Sequence, residues 1–576
     1  MNNAPGPVRR SHELEQYLPR TRIAYLTMEI ALEPDIPTYS GGLGILAGDA
    51  ARSAADLGLP MVFVTLASRD GYLHQDLDAQ GGQLDSPDRW DPATRAVALQ
   101  AMVAVEIGGR QVWIRPWLYV LERPLGRSVP VLLLDTDLAE NDPADRGISA
   151  RLYGGDAGMR LRQEIVLGIG GEMMLAALGF EIATFHLNEG HAALLPLALL
   201  RRYPLRHGHV EDAVPYDIER VVQRCVFTTH TPIAAGHDRF DYALVAALLG
   251  DFFDLPALRH LAGDDALNMT RLAINLSGYI NGVAKRHQQT AQAMFPGIAI
   301  RSVTNGVHPE TWVQPALASL YATLDAQWTT EPEVLVRADT LPPDAVLAAH
   351  AEAKARLLDA VYRATGRALS PDLPTIVFAR RMTGYKRADL LLADPERLVR
   401  IARHAPFQVL YAGKAHPQDG EGRALIGRIQ EASRRLSHDL PIVFVPGYDF
   451  ALAKLLVAGA DVWLNTPQPP LEASGTSGMK AALSGVPSLS VLDGWWLEAC
   501  IEGVTGWAIG DPEQPATHAA ILLDKLETTV LPLFADRAAW ARIMMGAISK
   551  SGAVFTSHRM MRRYAAEAYL NAEPVR

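Results

Sequence analysis

Thr375-Ile376-Val377-Phe378-Ala379-Arg380-Arg381-Met382-Thr383-Gly384-Tyr385-Lys386-Arg387 runs from five residues without polar alternation into four cations within eight positions. A short run that is apolar throughout suits a strand buried on both faces, as in a parallel sheet covered by helices. The cations then fall where that strand ends and a helix is expected to begin, the edge at which open α/β sheets bind ligands. Arginine offers a planar fork to phosphate and lysine a point charge, so two neighbouring phosphate groups could be neutralised here. A solvated basic turn, with Arg387 facing water, fits the same letters.

The same kind of run recurs on either side of this stretch. Candidate strands follow at residues 407–411, Ile442–Val445, 462–464 and 488–492, and precede it at Ile23–Leu26, Met61–Leu66, 131–134, 182–187 and 226–229. Helix-type patterns separate them, which predicts α/β layers. The two series are divided by residues 324–374, with the turn Leu341-Pro342-Pro343 and a long helical stretch at 345–364. The expected organisation is two doubly wound α/β domains, 1–312 and 313–576, facing each other across a cleft, with a purely helical pattern after Asp511.

A chain of 576 residues that is 49% hydrophobic and 20% charged is too long for one core and too apolar for disorder. A net charge of -10 argues against a nucleic-acid or anionic-membrane surface as the main partner. The first residues lack an apolar leader segment and no run of about 18 apolar residues follows, so a cytoplasmic protein is expected. Cys225 and Cys500 stand alone, with no metal-binding or redox spacing; no metal site is expected.

Two further stretches carry chemistry. In Tyr39-Ser40-Gly41-Gly42-Leu43-Gly44 the glycines precede a helix ending near Gly58. Without Cβ atoms the backbone can approach an anion at a helix start, although a plain tight turn fits as well. In Leu471-Glu472-Ala473-Ser474-Gly475-Thr476-Ser477-Gly478-Met479-Lys480-Ala481-Ala482-Leu483, small and hydroxylated residues lead into a helix whose Met479 and Leu483 share a face. Lys480 points about 100° away from Met479. A lysine in a water-poor pocket loses its proton readily and can condense with a carbonyl cofactor; an ordinary surface lysine remains open from these residues alone.

The segment EASGTSGMK followed by AAL resembles the pyridoxal-phosphate attachment site of the glycogen and α-glucan phosphorylases. Other segments agree in order: Thr27-Met28-Glu29, the GGLG loop, His186-Leu187-Asn188-Glu189-Gly190-His191, Thr229-His230-Thr231-Pro232, Val303-Thr304-Asn305-Gly306-Val307, RRMTGYKR, Ala412-Gly413-Lys414-Ala415 and Leu492-Asp493-Gly494. The likeness spans about residues 22–510 and is similar to the compact bacterial and archaeal branch.

That resemblance implies a GT-B-like architecture of two Rossmann-like domains, and release of glucose 1-phosphate from α-1,4-glucan ends by inorganic phosphate, with retention. It implies pyridoxal phosphate on Lys480, its phosphate near Arg380, Thr476 and Ser477, with Tyr448 close by. Substrate phosphate is expected at Arg381, Lys386 and the backbone of Gly42 in the loop Gly41-Gly42-Leu43. Glucose is expected at Glu472, Ala473, Ser474 and Gly475, with Asn305 at its 6-hydroxyl and His230 near the anomeric carbon. A homodimer is the family's habit. Ser484, where asparagine is common, and residues 466–470, TPQPP where arginines are frequent, depart from the pattern. Two other readings are a nucleotide-sugar glycosyltransferase that needs no pyridoxal phosphate, and a glucan-binding homologue without activity.

Overall fold

The computed structural model describes residues 14–204, 216–233 and 236–570. Its first sheet is parallel through Arg301–Ser302, Tyr279–Gly282, Cys225–Thr228, Thr184–Asn188, Ile23–Leu26, Met61–Leu66 and Arg127–Asp135, in that spatial order. Ile23 pairs with Met61 on one side and Thr184 on the other. The chain therefore leaves its first strand in one direction and returns in the other, which opens a crevice beyond the carboxyl end of Ile23–Leu26. The second sheet repeats the plan: Ile442–Val445, Gln408–Ala412, Thr375–Ala379, Val462–Asn465, Ser488–Ser490 and Gly506–Ala508, all parallel, with Thr375–Ala379 at the reversal. Its strand Thr375–Ala379 is buried at every position.

The long connecting helix is Pro343–Thr365, ended by Gly366 in the left-handed region at φ 68°. It packs on the helix Phe450–Gly459 so closely that a Cβ at Gly459 would lie 2.7 Å from Leu357. No helix among the described residues is long and apolar enough to cross a membrane.

Three features differ from the sequence expectation. The first sheet continues into an antiparallel ribbon, Val103–Ile107 against Arg110–Arg123, turning at Gly108 and Gly109, both at positive φ. After Thr375–Ala379 the chain forms two 3-10 turns, Gly384–Lys386 and Leu390–Leu392, and the next α-helix starts only at Pro395. The last described helix, Ser557–Tyr564, does not stay with the second sheet. Its Met560, Met561 and Tyr564 join the core of the first, while the second sheet's core takes in Val307 to Phe555 together with Ala31 and Ile45 of the first half.

Asp56, His308 and His558 tie these segments together, all buried, with their ligand-type atoms within 4.8 Å of one another. His308 Nε2 lies 2.7 Å from Asp56 and Arg123 Nε donates to the other carboxylate oxygen at 2.8 Å. Thr311 N donates to His308 Nδ1, which leaves the ring proton on Nε2, facing Asp56. The trio thus works as a charge-assisted clamp between the glycine-loop helix, the crossover and the last helix.

Candidate active site

The carboxyl ends of the two sheets enclose a cavity of about 1000 Å³. Every expected site residue lines it: Gly41, Gly42, Leu43, His230 and Asn305 from the first half, and Arg380, Arg381, Lys386, Tyr448, Glu472, Ala473, Ser474, Gly475, Thr476, Ser477 and Lys480 from the second.

The four cations of the strand end divide their labour. Arg380 and Lys386 both donate to Glu472 Oε2, at 2.7 and 2.6 Å. Burial alone would raise the Glu472 carboxyl, but Arg380 and then Lys386 hold it down at about 2. A buried cation needs a counter-charge, and Glu472 supplies it to both. Arg387 does not face water: it donates to the carbonyls of Thr466 and Pro467 at 2.9 and 2.7 Å. Arg381 alone makes no hydrogen bond or ion pair among the described residues. It is exposed, but to the cavity, and a Cβ at Gly41 would come within 3.1 Å of its guanidinium. The glycine loop and the free cation therefore meet across the two halves.

The helix Gly42–Asp56 starts without a side-chain cap, and Glu29 instead accepts from the backbone N–H of Ser40 and Gly41 at 2.6 and 3.1 Å. The helix Thr476–Leu483 likewise has no side-chain cap and no acidic residue in its first turn, and Gly475 takes φ 84° to begin it. Its free N–H groups at Thr476 and Ser477 open on the cavity, an anion-binding arrangement. Met479 and Leu483 go into the core while Lys480 turns to the cavity. Burial pushes the Lys480 amine down to about 8, against the opposing carboxylate of Asp49. Its Nζ stands 4.0 Å from the centre of the Trp312 ring, whose indole N–H donates to Asp49 Oδ2 at 2.8 Å. A buried reactive amine beside an uncapped helix start fits a carbonyl cofactor that carries a phosphate.

The opposite wall combines neutral histidines with charges that are paired among themselves. His230 Nε2 is 2.7 Å from Asn188 Oδ1, and burial, with the neighbouring His287, His186 and His191, lowers it to about 3. Glu189, at φ 73°, accepts from His230 N at 2.7 Å and Thr231 Oγ1 at 3.0 Å, so it fixes that loop. His191 is also lowered to about 3, chiefly by burial, and sits 3.6 Å from Asp238. Asp238 pairs with Arg160 at 3.0 Å; beside them, burial and then the Asp238 charge raise Glu164 well above the usual carboxylate range. Asn305 Oδ1 is buried without a hydrogen-bond partner.

Asp49, Trp312, Arg160 and Asp238 escaped the sequence reading. Asp49 and Trp312 lie close to the GGLG and TNGV segments, whereas Arg160 and Asp238 stand in no local pattern. None of residues 466–470 lines the cavity; Thr466 Oγ1 donates to the carbonyls of Lys386 and Arg387 at 3.1 and 2.9 Å, buttressing the basic turn from behind. Ser484 is buried and reaches the Trp312 carbonyl at 3.4 Å.

Comparison with known proteins agrees with this geometry. The family model for carbohydrate phosphorylases matches residues 255–504. A maltodextrin phosphorylase of Thermococcus litoralis is 36% identical, across 96% of this chain and 70% of its own. A glycogen phosphorylase of Mycobacterium tuberculosis is 36% identical, across 97% of this chain and 71% of its own. One of Aquifex aeolicus is 34% identical, across 95% and 86%.

Proposed function

The chain belongs to the carbohydrate phosphorylase family, and on that premise we propose that its cavity holds the non-reducing end of an α-1,4-glucan against inorganic phosphate and releases α-D-glucose 1-phosphate with retention of configuration. The protein is an α-glucan phosphorylase. The observation that carries the reading is the pairing of the buried Lys480 amine with the free Arg381 guanidinium in one cavity.

Lys480 would hold pyridoxal phosphate, with its phosphate at Thr476, Ser477 and Arg380. When bound, that group supplies a phosphate able to exchange a proton with the substrate phosphate. Arg381 and the uncapped backbone beside Gly42 bind the substrate phosphate, and Lys386 completes the charge around it. Two phosphates in a dry cavity repel unless cations and helix starts offset them, which is the task of this strand end. Ser474 Oγ and Asn305 Oδ1 both lack partners, and sugar hydroxyls satisfy them. His230, neutral and held by Asn188, presents its ring to the sugar without adding charge. As the glycosidic bond loosens, the substrate phosphate protonates the leaving oxygen and then closes on the same face of the sugar, so no carboxylate nucleophile is needed. The proposed setting is the cytoplasm, which the two free cysteines suit.

Lys480→Ala tests the reading: phosphorolysis should fall to background while glucan binding persists, and borohydride reduction of the wild type should leave a pyridoxyl adduct on the peptide containing Lys480. An active Lys480→Ala protein overturns it.

A further inference from the structure

The hairpin His74–Leu77 and Gln83–Ser86 belongs to the first half but docks on the second. Gln75 and Gln83, both buried, do the docking with every amide atom engaged. Gln75 Nε2 donates to Gly413 O at 2.8 Å and to Gln83 Oε1 at 2.8 Å, and its Oε1 accepts from Gly447 N at 3.1 Å. Gln83 Nε2 donates to Ala415 O at 2.9 Å, and its Oε1 accepts from Ala415 N at 2.9 Å. A glutamine amide can donate and accept at once, which is what the open end of a strand requires.

The segment they grip is the backbone against which Arg381 is held. The two residues flanking Arg381 are anchored to it: Arg380 N donates to Ala412 O at 3.1 Å and Met382 N to Lys414 O at 3.0 Å. The contact is so close that a Cβ at Gly413, φ 149°, would lie 1.8 Å from Arg380 O. Lys414 itself donates back to Leu73 O at 2.8 Å, at the root of the hairpin. A fully satisfied buried network of this kind is rigid.

We propose that Gln75 and Gln83 are positioning residues for the phosphate-binding guanidinium: a hairpin of one half sets the strand end of the other, so Arg381 is in place only when the two halves are docked. This rests on the reading of Arg381 as the substrate-phosphate ligand. Docking the halves and completing the anion site are then one event.

The test uses the whole, cofactor-loaded enzyme with maltodextrin and inorganic phosphate. Gln83→Met and Gln75→Met keep volume and remove the polar contacts; each should raise KM for phosphate by about tenfold, because a slightly misplaced binding group loses most of its worth, and leave KM for maltodextrin within about twofold. Added to Arg381→Ala, which itself raises KM for phosphate, neither should raise it further, since residues acting through one another are not additive. Arg423→Ala is the control: it sits in the same interface, bonded to Pro417 O, Gln83 O and Asp85, and makes no hydrogen bond to residues 412–415, so KM for phosphate should not move. If Gln83→Met does not fold, Gln75→Met alone, with the Ala415 contacts intact, should still give about a threefold rise. An equal rise in both KM values, an additive effect with Arg381→Ala, or the same shift in Arg423→Ala overturns the proposal. Should Arg381→Ala leave KM for phosphate unchanged, the reading of Arg381 fails and takes this proposal with it; if only the glutamine variants are silent, the reading of Arg381 stands.

Discussion

The second-half wall of the cavity gathers Arg380, Arg381, Lys386 and Lys480 at one strand end and one helix start, and leaves Arg381 without a partner. The first-half wall also carries titratable groups, but there burial holds His191 and His230 neutral, and Asp238 is matched by Arg160. The contrast follows the ligands. An anion must be met by charge that is not already spent, whereas hydroxyl groups ask for neutral donors and acceptors fixed in direction. One cavity therefore offers a free positive charge to phosphate and a wall of neutral rings and matched charge to sugar.

The sharpest way to break that contrast is to remove the free charge. Arg381→Ala should lower kcat/KM by about 100-fold or more, an effect of the size expected for a preorganised group facing developing charge; steady-state rates with phosphate varied would show it mainly in KM for phosphate. On the sugar wall, Asn305→Ala should cost about tenfold in kcat/KM, the worth of one buried hydrogen bond to a hydroxyl. That loss should appear with glucan varied and be insensitive to ionic strength, whereas a salt-dependent loss would mean that the pairing of charge on this wall depends on Asn305.

A separate readout is stability. Glu472, held at about 2 against an ordinary carboxylate value of 4.5, contributes stability that is present above 4.5 and lost as the pH falls toward 2. Thermal melts of Glu472→Gln should therefore differ most from wild type near neutrality, by on the order of 3 kcal/mol, and converge in acid. Asp493, raised by burial to about 6, acts in reverse: its ionisation costs stability as the pH climbs from the usual carboxylate range past 6.

The charged floor was legible because its parts are local: one strand with its cations, and one helix with its lysine, each within a dozen residues. Strands buried on both faces were equally plain, and Ile23–Leu26, Met61–Leu66, Thr375–Ala379 and Ile442–Val445 have the expected bounds. The sugar wall was legible only in part, since Arg160 and Asp238 meet through the fold and not through spacing. The ribbon beyond Arg127–Asp135 left a signal in Gly108-Gly109, a pair suited to a tight hairpin, that was not read. The pairing of Arg380 and Lys386 with Glu472 has no sequence trace at all, because it depends on two loops 86 and 92 residues apart reaching the same point.

The returning helix Ser557–Tyr564 bears on how the chain is made. Tyr569 hydroxyl bonds His186 Nδ1 at 2.7 Å across 383 residues of sequence, and Tyr564 hydroxyl accepts from Asn281 Nδ2 at 3.0 Å on Tyr279–Gly282, two strands along the same sheet. During synthesis the first sheet leaves the ribosome long before these tyrosines exist, so one face of its central strands waits uncovered while the entire second sheet is translated. A nascent first half is thus the stage at which a chaperone has most to shield, and the emergence of Ser557–Tyr564, rather than completion of either sheet, is the moment at which its core closes.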